Sequence, residues 1–283
     1  MDQESTAMGN RIEAIRLNHM NVVLEDFDAS VACFKALYDA EFMADLTSAP
    51  DFHACLMAMG GGIFELFVPS AYLFNARYGP FHLGVEYQAD MDVVRSVLAA
   101  NGIQIIRDIG AAVHTHPEDT LGVSFEFYGG CFHDREWPLL GRPIRSAAWW
   151  REEHPLGLTS LAGYSVAVTD LEAATALLMK LFVTHILYKE DRRAINARAV
   201  GLQLGDSVLE LLGPAGEGML FDYVRRAGQG IRSTIFSVRD MDQARRYFRE
   251  RNVEVSEGSA GDTIIVEGAA NRNVMFEFRP ERG

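Results

Sequence analysis

The chain has 283 residues, of which 48% are hydrophobic, 10% aromatic and 23% charged, a composition that excludes disordered and fibrous proteins and leaves room for two domains or four smaller modules. A formal net charge of −13 argues against nucleic acid and anionic membranes, which are held chiefly by Lys and Arg on phosphates, and directs attention to small-molecule partners. The first residues, MDQESTAMGNRIEAIRLNHM, carry no basic segment followed by an apolar run, and Cys33, Cys55 and Cys131 are odd in number without CxxC spacing. A cytoplasmic protein, monomeric or homodimeric, with neither a disulfide framework nor a Cys-rich zinc site, is expected.

In chain order the sequence repeats a unit that opens with a strand, continues as an amphipathic helix and closes with strands. LNHMNVVLEDFDASVACFKALYDAEF opens the first unit, which closes at GGIFELFVP, and FHLGVEYQADMDVVRSVLAANGIQI and LGVSFEFYG bound the second. CFHDREWPLLGRPIRSAAWWREEHPLGL intervenes without a clean period, and its aromatic residues predict a connection packed along both halves rather than a flexible spacer. The third unit runs from LAGYSVAVTDLEAATALLMKLF to DSVLELLGP, and the fourth from GIRSTIFSVRDMDQARRYFRERNVEV to RNVMFEFRP. Asp26, Asp90, Asp170 and Asp240 fall at the predicted strand-to-helix junctions, where a carboxylate caps the helix N-terminus. The helices that follow place Val31, Phe34 and Leu37, or Leu171, Ala174, Leu177 and Leu178, on one face for packing on a sheet. Each unit reads β-α-β-β-β. The predicted class is α+β, four such modules paired into two cup-shaped sheets, with an N-terminal pair over 12–130, a connecting segment over 131–157 and a C-terminal pair over 158–281.

Two histidines and two glutamates stand at matching places in the first two units. His19 lies seven positions before Asp26, and His82 eight before Asp90; Glu65 in IFELF and Glu126 in SFEFY correspond at the other ends. A pseudo-twofold pairing of the two units would bring all four to one floor. A carboxylate inside a run such as Ile63-Phe64-Glu65-Leu66-Phe67 needs compensation, because an unpaired buried charge is disfavoured by several kcal/mol. A divalent cation supplies it, and two imidazoles with two carboxylates suit Zn, Ni, Co, Mn or Fe(II) with positions left for water or substrate. His53, His133, His154 and His185 have no such repeat partner and read as structural or solvated.

On these residues the chain resembles the vicinal-oxygen-chelate superfamily, which includes glyoxalase I, methylmalonyl-CoA epimerase, extradiol dioxygenases and bleomycin-resistance proteins. The order His19, Glu65, His82, Glu126, at intervals of roughly fifty, seventeen and forty-five residues, is similar to the four-ligand order of glyoxalase I and the epimerases. HPEDTLGVSFEF at 116–127 resembles the epimerases' HP-x-x-T-x-G-V-x-x-E segment, and YVRRAGQGIRSTIFSVRDMD resembles their segment leading into the second metal histidine. The resemblance covers roughly 15–130 and 158–280. In the fourth unit Arg232 and Ser233 stand at the histidine place, and in the third Gly163 or Tyr164, so only the first half is expected to hold the metal.

The resemblance implies an enzyme in which two vicinal oxygens of the substrate chelate the metal while a carboxylate removes a proton from the adjacent carbon. Glu126 or Glu65 is the implied base, Asp51 a weaker candidate, and His116 a substrate-side donor unless it only caps a turn. Lys and Arg are sparse around the ligands and bulky apolar residues abundant, so an apolar or aromatic substrate is expected rather than a coenzyme A ester. The reading is thus a metal-dependent isomerase, epimerase or lyase. A ring-cleaving dioxygenase using His19, His82 and Glu126 and a non-catalytic binding or resistance protein are the alternatives. In the half without the metal, Arg232 is expected to replace it by pairing with one or both of Glu210 and Glu277 through its planar fork.

Overall fold

The computed structural model describes residues 11–47, 53–68 and 81–281. Its elements run β1 (Arg16–Val23), α1 (Phe27–Tyr38), β2 (Glu41–Asp45), β3 (His53–Met59), β4 (Gly62–Val68), then β5 (Phe81–Gln88), α2 (Met91–Ala100), β6 (Ile105–Asp108), β7 (Ala112–Thr115) and β8 (Ser124–Tyr128). After α3 (Ala147–Glu152) come β9 (Leu158–Ala167), α4 (Leu171–Leu181), β10 (Ile186–Arg192), β11 (Ala197–Leu204) and β12 (Ser207–Pro214). The chain ends with α5 (Met219–Ala227), β13 (Gly230–Val238), α6 (Met241–Glu250), β14 (Ser256–Glu257), β15 (Ile264–Val266) and β16 (Phe276–Pro280). None of the described helices is long and apolar enough to cross a membrane.

The repeat is real and its punctuation is local. Asp26 accepts a hydrogen bond from the Ala29 amide at 3.0 Å, and Asp90, Asp170 and Asp240 each accept two from the first turn of the helix that follows. Each cap satisfies amides that have no intrahelical partner, and this starts the helix at the same point in every module. The four modules form two eight-stranded sheets, in the orders β2-β3-β4-β1-β5-β8-β7-β6 and β10-β11-β12-β9-β13-β16-β15-β14. The expected α+β architecture of paired βαβββ modules is the one found.

By packing, the residues sort into two compact units. One comprises the chain up to Asn18 with Leu83–Phe132 and Tyr164–Ile231. Its core stacks Phe125 and Phe127 on Phe182, with ring centroids 5.3 and 6.1 Å apart, and buries a hydroxyl cluster in which Tyr87 Oη lies 3.2 Å from Tyr164 Oη and 3.0 Å from Ser207 Oγ. The other comprises His19–His82, His133–Gly163 and the chain from Arg232. Phe34, Phe64, Phe236 and Phe276 form its centre, and Tyr38 Oη donates to Asn271 Oδ1 at 2.7 Å. The proline-rich connection packs into this second unit: Arg142 and Arg145 engage Glu41, Gln243 donates to the Pro155 carbonyl, and Trp150 is buried against His154.

Candidate metal centre

Strand register places the four repeat glutamates on one structural row per module. Residues paired across neighbouring strands project to the same face. In the first module the row is Ala44, Leu56, Glu65, Asn21; in the second Arg107, His114, Glu126, Glu86; in the third Tyr188, Gly201, Glu210; in the fourth Ser256, Ile265, Glu277, Ile235. Among these rows the second alone sets two carboxylates side by side.

Glu86 and Glu126 are 2% and 7% exposed, and two like charges at neighbouring positions with so little water between them call for a cation. The surroundings orient both. Asn18 Nδ2 donates to Glu86 Oε1 at 2.9 Å and to the Gly130 carbonyl at 3.0 Å, and His114 Nε2 lies 3.1 Å from Glu126 Oε1. His19, the next residue after Asn18 on β1 and 3% exposed, completes the group: His19, Glu86 and Glu126 each offer a ligand atom, and these atoms lie within 4.8 Å of one another. One imidazole and two carboxylates, all buried and with two of them mutually repulsive when unneutralised, fit a divalent cation.

Of the residues singled out in sequence, the structure brings His19 and Glu126 together and adds Glu86. Glu65 lies at the corresponding register of the first module, partly exposed, opposite Leu56 and Asn21. His82 lies elsewhere, its Nε2 2.8 Å from Thr234 Oγ1 and its ring 6.3 Å from that of Phe276. The reason is register. Asn21 pairs with Glu65 as Glu86 pairs with Glu126, so the counterpart of His19 is Gly84 and the counterpart of His82 is Leu17. Two residues separate the end of β1 from its cap at Asp26 but one separates β5 from Asp90, so counting back from the caps misaligns the strands by one. A histidine at the true counterpart is excluded, because a Cβ on Gly84 would lie 2.0 Å from the Ser124 carbonyl oxygen. His116 caps a short 3-10 turn, its Nδ1 accepting from the Glu118 amide at 3.2 Å, and Asp51 lies outside the described residues.

Glu86, His114 and Asn18 escaped the sequence reading because the other modules do not repeat them. The available signal was Glu86 itself, a lone acid in the strand FHLGVEYQ.

The second sheet neutralises its glutamates with protein groups. Glu210 receives Tyr188 Oη at 2.8 Å and the Arg192 guanidinium; Glu277 Oε1 accepts from Ser259 N at 2.8 Å, Ser259 Oγ at 2.6 Å and Thr263 Oγ1 at 2.7 Å. Arg232 reaches Glu277 with one nitrogen at 3.9 Å, so Arg192, rather than Arg232, is the partner of Glu210.

Burial lowers the pKa of His82 to about 3. An unfolded-chain histidine titrates near 6.5, so His82 takes up its proton on unfolding. Its contribution to stability is complete above about pH 6.5 and is lost as pH falls toward the folded value, at about 1.4 kcal/mol per pH unit per proton. Urea midpoints at pH 7, 5 and 4 should therefore fall less steeply for His82→Gln than for wild type; equal slopes would mean that His82 is already charged in the folded protein.

No protein-family model matches the chain, and no curated protein does. Solved structures do. A variant of 4-hydroxymandelate synthase from Streptomyces coelicolor is similar over 95% of this chain and 94% of its own, at 13% identity and a TM-score of 0.63. A variant of homoprotocatechuate 2,3-dioxygenase from Brevibacterium fuscum is similar over 96% of this chain and 73% of its own, at 12% identity and a TM-score of 0.64.

Proposed function

Starting from the vicinal-oxygen-chelate fold, which this chain shares with both of those enzymes, we propose a metal-dependent enzyme of the isomerase, epimerase or lyase kind, acting by proton transfer on a small substrate with vicinal oxygens. The observation that supports it best is the buried His19, Glu86, Glu126 group over one half of the chain, 12–130, while in the other half Glu210 pairs with Arg192 and Glu277 accepts from Ser259 and Thr263. A divalent ion held there, one of Zn, Ni, Co, Mn or Fe(II), supplies a Lewis acid for the two substrate oxygens.

The protein's own groups do the rest. Asn18 holds Glu86 by one oxygen, which keeps that carboxylate a fixed ligand. Glu126, buried in the group with His114 Nε2 3.1 Å from its Oε1, is the assigned base that accepts a proton from the carbon next to the substrate's oxygens. Glu65, less buried and on the first module's row, is the second candidate. The low exposure of His19, Glu86, Glu126 and His114 excludes water and strengthens each electrostatic contact at the reacting carbon.

A second reading, ring cleavage by dioxygen, is favoured by the fold shared with homoprotocatechuate 2,3-dioxygenase, with His114, 3.1 Å from Glu126 Oε1, standing outside the His19, Glu86, Glu126 group. Metal-reconstituted protein, screened on vicinal dioxygen compounds for solvent-deuterium exchange and for oxygen uptake, separates the two. Exchange without oxygen uptake is expected. In Glu126→Gln it should fall by roughly 10²–10⁴-fold while part of the metal affinity remains; oxygen consumption without exchange would instead establish the second reading.

A further inference from the structure

The row that carries the site does not stop at His114. Arg107, on the sheet-edge strand β6, pairs with His114 as His114 pairs with Glu126, so Arg107, His114, Glu126 and Glu86 follow one another across four strands on one face. Arg107 is exposed, and its guanidinium makes no ion pair with a described residue. The adjacent acid, Asp108, is taken by Arg95 through two hydrogen bonds of 3.2 and 3.1 Å.

The third module shows what this edge position does. Tyr188 stands at the register of Arg107 on strand β10, Gly201 at that of His114, and Glu210 at that of Glu126. Tyr188 lies across Gly201, where a Cβ would come within 2.3 Å of its ring, and donates to Glu210 at 2.8 Å. An edge side chain at this register therefore reaches inward along the row as far as the glutamate when nothing stands between. In the second module His114 fills the place of Gly201 and lies 3.1 Å from Glu126 itself, which leaves the exposed Arg107 at the outer end of the same row.

We propose that Arg107 binds a carboxylate of the substrate, so that the site takes an anionic acid whose vicinal oxygens lie at the Glu86 and Glu126 end and whose carboxylate lies about two strand spacings away, roughly 10 Å between backbones. A guanidinium matches a carboxylate in two parallel hydrogen bonds, which a single ammonium does not. The proposal rests on the metal-site reading above and names its substrate class: a small, largely apolar or aromatic acid, the size of a substituted benzoate.

Catechol and protocatechuate present the same vicinal oxygens and differ by one carboxylate, and they serve as probes in calorimetric titrations of Co(II)-treated wild type, Arg107→Gln and Arg107→Lys. The carboxylate also changes the acidity of the oxygens, and comparing the protocatechuate-to-catechol affinity ratio between proteins cancels that effect. The ratio is expected to drop about tenfold in Arg107→Gln, with Arg107→Lys between, while catechol affinity and cobalt content stay at wild-type values. An unchanged ratio, or no binding of protocatechuate to wild type, overturns the proposal. If wild type takes up no cobalt, the metal-site reading fails, and the ratio measured in the metal-free proteins still decides the role of Arg107.

Discussion

Replacing His19 by alanine is expected to strip the metal from the protein, whereas His82→Ala is expected to retain one metal equivalent and lose stability instead. In the proposed metal group His19 would supply the nitrogen, and without it two adjacent carboxylates would hold a cation alone. Loss of a first ligand weakens affinity by orders of magnitude, and even a supporting residue typically contributes 10–100-fold. His82 sits against Thr234 and Phe276, so its truncation leaves a cavity and an unmatched hydroxyl, costing on the order of 2–4 kcal/mol. Metal content after dialysis, measured beside a denaturation midpoint, separates the two residues. Metal lost from both variants would return the site to the four-ligand arrangement expected from the repeat, and metal kept by His19→Ala would refute the assignment. Bound metal should also stabilise the wild type by about 4 kcal/mol at a thousandfold excess over the dissociation constant.

Arg192→Ala is expected to destabilise the protein by roughly 3–5 kcal/mol at neutral pH, the range for breaking a buried ion pair. Arg192 and Glu210 are 5% and 2% exposed and pair directly, with Glu190 as a second partner of the guanidinium. Burial lowers the arginine's pKa, but Glu210 and Glu190 more than offset this and hold it above its ordinary value. Removing the guanidinium leaves Glu210 with Tyr188, too little for a buried carboxylate. Arg232→Ala should cost less, since Ser259 and Thr263 already supply three hydrogen bonds to Glu277 and Arg232 stands 3.9 Å away. Chemical denaturation of both variants at neutral pH tests this, and Arg192→Ala as stable as wild type would refute it.

The modules were legible in the sequence because their determinants are local. An aspartate caps the helix three residues on, an apolar stripe follows at helical spacing, and a glutamate interrupts the last apolar strand of each unit. Residues a few positions apart on one element meet whatever the rest of the chain does, so Asp26, Asp90, Asp170 and Asp240 marked every module correctly. The four glutamates likewise fell at one register, and His19 and Glu126 were both visible as members of a buried charged group.

What joined them was decided by tertiary structure. One extra residue between β1 and its cap shifts the strand against its repeat, so distance from the cap does not give the pairing register. Spacings of seven and eight from the caps set His19 against His82, while the hydrogen-bonded register equates His19 with Gly84, two positions further on, and sets Glu86 beside Glu126. The same holds in the other half, where Arg232 and Arg192 were equally available as charges. Which of them meets Glu210 depends on the path of β10 past β11, a pairing between strands that no local pattern records.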